Sequence, residues 1–205
     1  SLIAQTVSET AYSMYLLKKE AEKKEFILSL IAAVESASSK NKLYNIICKK
    51  IMNFFNADRI LIVEFSKNGT YNILQELKAD KSIKSVFEVL PKNTAEKIMT
   101  YWNDIVFNKN EEVTFNSVNA YDIPDFIREA YNKIGLVSAM TTIFNRTETS
   151  ATVVVLGKYN NDNIWTEDDV KGFNLCGKQV NIAINKIKLT EKAKIRALRE
   201  KALLD

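Results

Sequence analysis

The N-terminal part of the sequence contains a heptad seam, which constrains the fold more than any other feature. From residue 3 to residue 31 the seam positions recur at alternating steps of four and three residues, the spacing of a helix that packs along another helix. Two positions are polar and residues 18–25 are almost all charged, so one small core cannot bury this helix. We therefore predict a long helix over residues 2–38 that pairs in parallel with a second copy of the chain. The seam consists of Ile3, Val7, Thr10, Met14, Leu17, Ala21, Lys24, Leu28 and Ile31.

Composition excludes several classes of active site. The 205 residues contain no histidine, which removes Ser-His-Asp and Cys-His catalysis, HExxH zinc sites and His-ligated haem. The two cysteines, Cys48 and Cys176, lie in apolar helical patterns, so we predict buried reduced thiols in a cytoplasmic protein, and no metal site. The 29 basic and 25 acidic residues are mixed along the chain, and no apolar run approaches the ~18 residues that span a bilayer. We therefore expect contact with neither nucleic acid nor a membrane.

Apolar periodicity divides the rest of the chain into short helices and strands. Asn68-Gly69 predicts a tight hairpin in which these residues supply positive φ angles. Gly135 is predicted to end a helix, and Thr166, followed by three acidic residues, to cap the last one. Helices are predicted over residues 42–56, 91–107, 124–134 and 166–204, and strands over residues 59–65, 71–77, 112–115, 136–144 and 151–158.

The two ends of the sequence repeat one another. Residues 2–16 align with residues 175–189 at a constant offset, and both segments lead into a helix rich in Lys and Glu. One interpretation is that any two amphipathic helices resemble each other to this extent. The other is that the chain begins with the last helix of an upstream domain of the same kind, as one unit of a tandem array.

The order of elements and three local motifs resemble the GAF sensor domain. Residues 56–59 (Asn-Ala-Asp-Arg) look like the entry into its first strand, and residues 134–139 contain a Gly-x-x-Ser strand start. Residues 164–169, followed by Gln-x-x-x-Ala-Ile at residues 179–184, look like its closing helix. The resemblance covers about residues 26–190, and the related PAS fold is the chief competitor.

The resemblance implies an α+β fold: a PAS-related antiparallel sheet of about six strands, helices on both faces, and long coiled-coil-like terminal helices. It also implies a small-molecule pocket under the insertion of residues 91–134. Aromatic, Met and Ser side chains near that face are the candidate lining, although each is also an ordinary core residue: Phe65, Tyr71, Trp102, Phe107, Tyr121, Phe126, Tyr131, Ser138 and Met140. Asp122 and Arg128 are candidates for orienting a polar ligand.

The sequence departs from the family pattern in ways that bear on the ligand. The Asn-Lys-Phe-Asp-Glu signature of members that bind cyclic nucleotides is not readable, which argues against cyclic AMP and cyclic GMP. Neither cysteine lies where a bilin-attaching cysteine is expected, and the histidine beside it is missing. We therefore expect neither haem nor bilin, and the ligand is unknown.

The C-terminal helix continues beyond the resemblance with a second seam, formed by Ile187, Ile195, Leu198 and Ala202. Steps of four, four, three and four residues, counted through Glu191, contain a stutter, which allows two helix packings of near-equal energy. Residues 198–205 are similar to the helix that enters a diguanylate cyclase (GGDEF) domain. The predicted organisation is therefore a connector over residues 1–25, a sensor domain over residues 26–190, and a connector over residues 191–205 to an output domain in the same chain.

These features predict a regulatory domain of a bacterial signalling protein, without catalytic activity of its own. An unidentified small ligand or an upstream change would shift two parallel helices and so control the output domain, here a diguanylate cyclase. The alternatives are the sensor of a histidine kinase or phosphodiesterase, and a dimerisation spacer with a filled pocket. A methionine sulfoxide reductase would need a cysteine of low pKa, and neither cysteine has a clear cationic neighbour.

Overall fold

The computed structural model describes residues 2–37, 40–109, 112–159 and 164–203. Ser39, in the predicted break between the first two helices, lies outside the described residues. So do Leu204 and Asp205, at the end of the predicted connector. No helix among the described residues is both long enough and apolar enough to cross a membrane.

A single antiparallel sheet forms the centre of the fold, with its strands in the order β2-β1-β5-β4-β3. All five strands predicted from the sequence are present, whereas the sixth implied by the family resemblance is not among the described residues. The strand bounds are β1 Arg59–Ser66, β2 Tyr71–Lys78, β3 Thr114–Phe115, β4 Ser138–Arg146 and β5 Ser150–Lys158.

Helices cover both faces of the sheet, as predicted. Three long helices lie on one face, and the insertion between β2 and β4 covers the other. The insertion helix predicted over residues 91–107 is α-helical only to Asp104 and ends in a π-helical turn, Ile105–Lys109. The helix bounds are α1 Leu2–Ser36, α2 Lys40–Phe54, α3 Val86–Val89, α4 Lys92–Asp104, α5 Asp125–Ile134 and α6 Glu167–Ala202.

The face covered by α1, α2 and α6 is tightly packed. Residues with no exposed surface come from every layer there, including Leu30, Ile47, Phe144 and Phe173. Helix α6 approaches the sheet most closely at Gly177, where an added Cβ would collide with Thr142 Oγ1 and lie 3.0 Å from the Ile143 carbonyl oxygen. This close approach fixes α6 directly on β4.

Helices α1 and α6 run side by side in the same direction. Near the start of α6, the Lys23 side chain lies 3.5 Å from the position of a Cβ on Gly172. Farther along, Lys186 forms an ion pair of 3.4 Å with Glu35. Because the contacts advance together along both helices, the free end of α1 and the free end of α6 leave the domain at opposite ends.

These free ends form two exposed stalks. Every side chain of residues 3–22, the N-terminal stalk, is exposed, and so is every side chain of residues 189–203, the C-terminal stalk. At 1.5 Å per residue the stalks extend about 30 Å and about 22 Å. The predicted long terminal helices are therefore confirmed, and only their inner parts contribute to the core.

The turn between β1 and β2 differs from its prediction. Gly69 alone has a positive φ angle (88°), and Asn68 does not. Asn68 instead accepts hydrogen bonds through Oδ1 from the Thr70 amide (3.1 Å) and hydroxyl (2.7 Å). The side chain of Asn68 thus closes the turn, and the backbone needs only one left-handed residue.

The two predicted helix boundaries are confirmed. Gly135 ends α5 in the left-handed conformation, with a φ angle of 77°. Thr166 Oγ1 accepts a hydrogen bond from the Asp169 amide (3.1 Å), and Asp169 Oδ2 accepts one from the Thr166 amide (2.9 Å). This reciprocal capping box makes α6 begin at Glu167.

Candidate functional site

A cavity of about 90 Å³ lies between the sheet and the insertion. Alternate residues of β1, β4 and β5 form its floor, because successive side chains of a strand point to opposite faces. Helix α4, the π-helical turn and α5 form its roof. The walls are almost entirely apolar, with Leu61, Val63, Phe65, Met99, Val106 and Ala139 among them.

Two aromatic side chains join the roof helices over the cavity. Trp102 Nε1 on α4 donates a hydrogen bond of 2.6 Å to the hydroxyl oxygen of Tyr131 on α5, and both residues line the cavity. Burial raises the pKa of the Tyr131 hydroxyl, so this group stays protonated. The pair therefore acts as a neutral link between the two helices.

Arg59 places a permanent positive charge in the cavity wall. It is the first residue of β1, is 8% exposed, and faces the cavity together with Leu61 and Val63. Its Nε donates a hydrogen bond of 2.6 Å to Glu76 Oε1 on β2, and its Nη1 donates a longer one of 3.4 Å to the Tyr159 hydroxyl. The last residue of the motif at residues 56–59 is therefore an arginine that lines the cavity.

Sequence reasoning quoted this arginine within a family motif but did not name it as a site residue. The position of Arg59 within its strand is the signal that could have identified it as a site residue. Arg59 occurs two residues before Leu61 and four before Val63 in an apolar strand, so the period of two places all three on one face. A charged residue in such a row is a stronger indication of a site than another aromatic residue is.

Three of the predicted pocket residues line the cavity, namely Phe65, Trp102 and Tyr131. Tyr71 and Phe107 pack against the apolar cluster beside it without lining it. Tyr121 packs on Phe115, 5.3 Å between ring centroids.

The structure does not bring the other predicted residues to the cavity. Ser138 and Met140 lie on the opposite face of the sheet, because their strand neighbours Ala139 and Thr141 face the cavity. Phe126 and Asp122 are exposed on the insertion.

Arg128 holds the loop before its own helix. It donates hydrogen bonds of 3.1 Å to the Tyr121 and Ile123 carbonyl oxygens and pairs with Asp125. These contacts shape the roof of the cavity from outside, and Arg128 itself does not line it.

The predicted helix-pairing residues are exposed with two exceptions, Ile31 and Ile187. Ile187 is half-buried against the core, because α1 still runs beside α6 at that point. The exposed seam residues are Ile3, Val7, Met14, Leu17, Leu28, Ile195, Leu198 and Ala202. Both stalks therefore present apolar side chains that the chain itself does not cover.

Both cysteines lie on the helix-covered face, away from the cavity. Burial raises the pKa of the Cys48 and Cys176 thiols to about 12, so both stay protonated and unreactive at neutral pH. Among the described residues no cluster of three or more Cys, Asp or Glu side chains could hold a metal ion.

No family model matches the sequence, and no curated protein matches it either. Solved structures match its fold. A phycoerythrobilin-bound GAF domain from a cyanobacterial phytochrome has a TM-score of 0.64 at 11% identity, covering 84% of this chain and 99% of that one. A far-red absorbing dark state with bound biliverdin has a TM-score of 0.61 at 12% identity, covering 80% and 99%. The GAF domain of an Acinetobacter phosphoenolpyruvate-protein phosphotransferase has a TM-score of 0.56 at 10% identity, covering 83% and 98%. The chain therefore has a GAF-like fold.

These matches correct one expectation. The sequence argument excluded a bilin because the attachment cysteine and its histidine are missing. Yet several matched structures are bilin-bound GAF domains, holding biliverdin, phycoerythrobilin or phycocyanobilin. The exclusion was wrong because it treated one attachment chemistry as a requirement of the fold.

Proposed function

We propose that this chain is the sensor domain of a bacterial cytoplasmic signalling protein, which binds a small molecule in the cavity and relays the signal through its stalks. One observation carries the proposal. The sheet that forms the cavity floor is also the surface on which α6 lies, and α6 continues into an exposed stalk. A GAF-like fold with this arrangement suits regulation.

Strand β4 supplies the route between the cavity and α6. Thr141 and Ile143 line the cavity, and Thr142 between them contacts Gly177 on the other face. A ligand that displaces the cavity floor would therefore press on α6 without an intermediate layer. A coupling free energy of ~1–3 kcal/mol is enough for severalfold control of an output.

Binding in the cavity is tested by thermal shift with a panel of small apolar molecules, since a ligand raises the midpoint by mass action. The variant Ala139→Leu fills the cavity, and Ala79→Leu adds the same volume at an exposed position. Shifts seen with the native chain and Ala79→Leu, and lost in Ala139→Leu, support the proposal. If no probe shifts the native midpoint, the sensor proposal fails and the alternative of a dimerisation spacer is favoured.

The partner of the stalks in this proposal is a second copy of the chain in a parallel homodimer. Val7 belongs to the heptad seam and is 63% exposed, whereas Gln5 lies on the other side of the same helix. Val7→Glu is expected to weaken self-association in sedimentation equilibrium, and Gln5→Glu to leave it unchanged. Equal behaviour of the two variants would contradict pairing through this seam.

The proposed output domain is a diguanylate cyclase, with a histidine kinase or a phosphodiesterase as the alternatives. The support is the likeness of the last residues to the helix that enters a GGDEF domain. The test is to read the coding sequence beyond Asp205. A Gly-Gly-Asp/Glu-Glu-Phe motif about one domain length downstream supports cyclic-di-GMP synthesis, and a different catalytic domain reassigns the output while the sensor proposal stands.

A bilin is the second candidate ligand, favoured by the bilin-bound GAF domains that share this fold. The apolar and aromatic walls suit pyrrole rings, but a cavity of about 90 Å³ requires the insertion to move outward to admit one. Because both thiols lie on the other face, the pigment would be held without a covalent bond. Adding biliverdin and recording the absorption spectrum tests whether the pigment binds. A second spectrum after denaturing gel filtration tests whether it is held without a covalent bond, because a non-covalent pigment is then lost.

A further inference from the structure

The apolar seam of the C-terminal stalk lies on the side of α6 that meets the sheet. Successive residues of an α-helix are about 100° apart around its axis, and Gly177 marks the direction of β4. Ile195 follows Gly177 by 18 residues of unbroken helix, which is about five full turns, so both point the same way. Leu198 and Ala202 lie within about 60° of that direction. These three residues, the C-terminal seam, therefore continue the core-facing side of α6.

A separate apolar row of α6 points away from the sheet. Leu175, Ile182 and Leu189 recur at intervals of seven residues and lie about 120–160° from the direction of Gly177. Their side chains are 39%, 59% and 68% exposed, although this part of α6 is a core helix on its other side. The described part of the chain therefore leaves this row uncovered.

The heptad seam of α1 also points away from the core. Leu30 is fully buried and marks the core side of α1, and Leu28 lies about 160° around the helix from it. Val7 and Leu17 each lie about 140° from Leu30. The seam of α1 is thus on the outer side of the helix, both in the N-terminal stalk and beside α6.

The outer sides of the two helices form one surface, which we call the outer face. It consists of the heptad seam of α1 and the row Leu175, Ile182 and Leu189. Helices α1 and α6 run in parallel and bury their inner sides in the same core, so the row of α6 widens the seam of α1. The seam from Ile3 to Ile31 is about 42 Å long and the row about 21 Å. At about 10 Å per helix the outer face covers roughly 600 Å² per copy, the lower limit for one partner of a standard interface.

We propose that a second copy of the chain binds the outer face in parallel, and that the C-terminal seams of the two copies then face away from each other. The inference rests on the proposed function, since it extends the dimer of the N-terminal stalk onto α6. The occupant is a second copy because the row of α6 continues a heptad seam, and such a seam is complementary to itself in a parallel dimer.

This arrangement specifies what a relay through the C-terminal stalk requires. The C-terminal seams can meet only if α6 turns about its axis beyond the outer face. The stutter between Ile187 and Ile195 lies at that point, and a stutter changes the local winding of paired helices. The outer face thus fixes the dimer, while the C-terminal stalk has a paired and an unpaired position.

The first experiment measures self-association by sedimentation equilibrium. Ile182→Glu places a charge in the outer face, so we expect the dissociation constant of the dimer to rise at least about tenfold. Phe126→Glu is the matched control, because Phe126 is an exposed apolar side chain on the insertion, across the sheet from α6. Equal dissociation constants for the two variants overturn the proposal.

The second experiment measures distances between the two copies by pulsed electron paramagnetic resonance, with nitroxide labels at Leu189→Cys or Ile195→Cys. Cys48 and Cys176 are buried, and burial raises the pKa of both thiols to about 12, so neither takes up a label. The labels at residue 189 should lie roughly 15–20 Å closer together than those at residue 195, because the two positions face opposite sides of a helix about 10 Å wide. An equal or shorter distance at residue 195 shows that the C-terminal seams meet and overturns the proposal.

Failure of this inference can be told apart from failure of the proposed function. If Val7→Glu dissociates the dimer and Ile182→Glu does not, the N-terminal stalks pair as proposed and the extension onto α6 is rejected. A native chain that stays monomeric at the highest concentration measured rejects the second copy as the partner of both surfaces. Neither result bears on the ligand cavity, which the thermal-shift experiment tests separately.

Discussion

The two faces of the sheet are built on different principles. The face under α1, α2 and α6 is packed to the point of backbone contact at Gly177, and its largest side chains have no exposed surface. The face under the insertion leaves a cavity of about 90 Å³ and holds the buried Arg59 in the cavity wall. The same strands serve both, since odd and even residues of β1, β4 and β5 point to opposite sides.

The packed face contributes mainly to the stability of the fold, whereas the face with the cavity leaves room for a ligand. A close-packed face changes little when conditions change, because any displacement loses contacts on both sides. A face with a cavity can gain contacts from a ligand. The two faces lie back to back on one sheet, and under the proposed function a small molecule in the cavity would act on β4, the strand that contacts α6.

Removing a leucine from each face should show the largest effects. Leu156 is fully buried under the helices, and Leu61 lines the cavity on the neighbouring strand. Leu156→Ala is expected to lower the unfolding free energy by about 4 kcal/mol and Leu61→Ala by about 2–3 kcal/mol, because a side chain that borders a cavity has fewer packed neighbours to lose. Urea unfolding measures both, and equal losses would contradict the distinction between the faces.

Two glycines of α6 test the backbone contact. Gly177→Ala places a methyl group on Thr142 and the Ile143 carbonyl oxygen, so we expect a loss of about 2–3 kcal/mol in unfolding free energy. Gly172→Ala adds the same group with its nearest neighbour at 3.5 Å, and the higher helix propensity of Ala should stabilise the chain by about 0.5 kcal/mol. A similar response of the two variants would show that α6 is not seated on β4 through Gly177.

The buried thiols of the packed face predict a loss of stability at alkaline pH. Burial raises the pKa of Cys48 and Cys176 from 9.0 to about 12, so the unfolded chain ionises these thiols first as the pH rises. Their contribution is constant below about pH 9 and declines between pH 9 and 12, by up to ~1.4 kcal/mol per pH unit for each thiol. Urea unfolding is measured at pH 8 and pH 10 for the native chain and for the double variant Cys48→Ala/Cys176→Ala. The difference between the two proteins isolates the contribution of the thiols, because all other groups titrate alike in both proteins.

The smallest expected effect comes from one added methylene. Val154 faces the helices and Val153 faces the cavity, on consecutive positions of β5. Val154→Ile should cost about 1–2 kcal/mol through overpacking, and Val153→Ile should change the unfolding free energy by less than about 0.5 kcal/mol. Val153→Ile should also weaken binding of small ligands, and a stabilised Val154→Ile variant would mean that the packed face contains space after all.

Much of the fold could be predicted from local patterns. The predicted strand runs, the cap at Thr166, the helix end at Gly135 and the long terminal helices are present in the structure. Each depends on residues close together in sequence, whose backbone preferences and periodicity act without reference to the rest of the chain. The π-helical turn at Ile105–Lys109 was missed because no residue type specifies it.

The candidate site was predictable only in part. Phe65, Trp102 and Tyr131 line the cavity, but Ser138 and Met140 face the other way because one residue of register decides the side of a strand. Arg59 was passed over because an arginine at a strand start has an ordinary role in an ion pair. Its place in the cavity wall becomes visible only once the sheet and the insertion have fixed positions.

By itself, the sequence determined which segments form the five strands and the long helices, and that both terminal helices carry apolar seams. Tertiary structure alone decided which face of β4 meets the cavity, that α1 and α6 run parallel with their free ends on opposite sides, and that Arg59 lies in the cavity wall paired with Glu76. The physical reason is the distance along the chain over which each kind of interaction acts. Periodicity and capping act within a few residues, whereas register, cavities and the pairing of a buried charge arise from segments far apart in the chain.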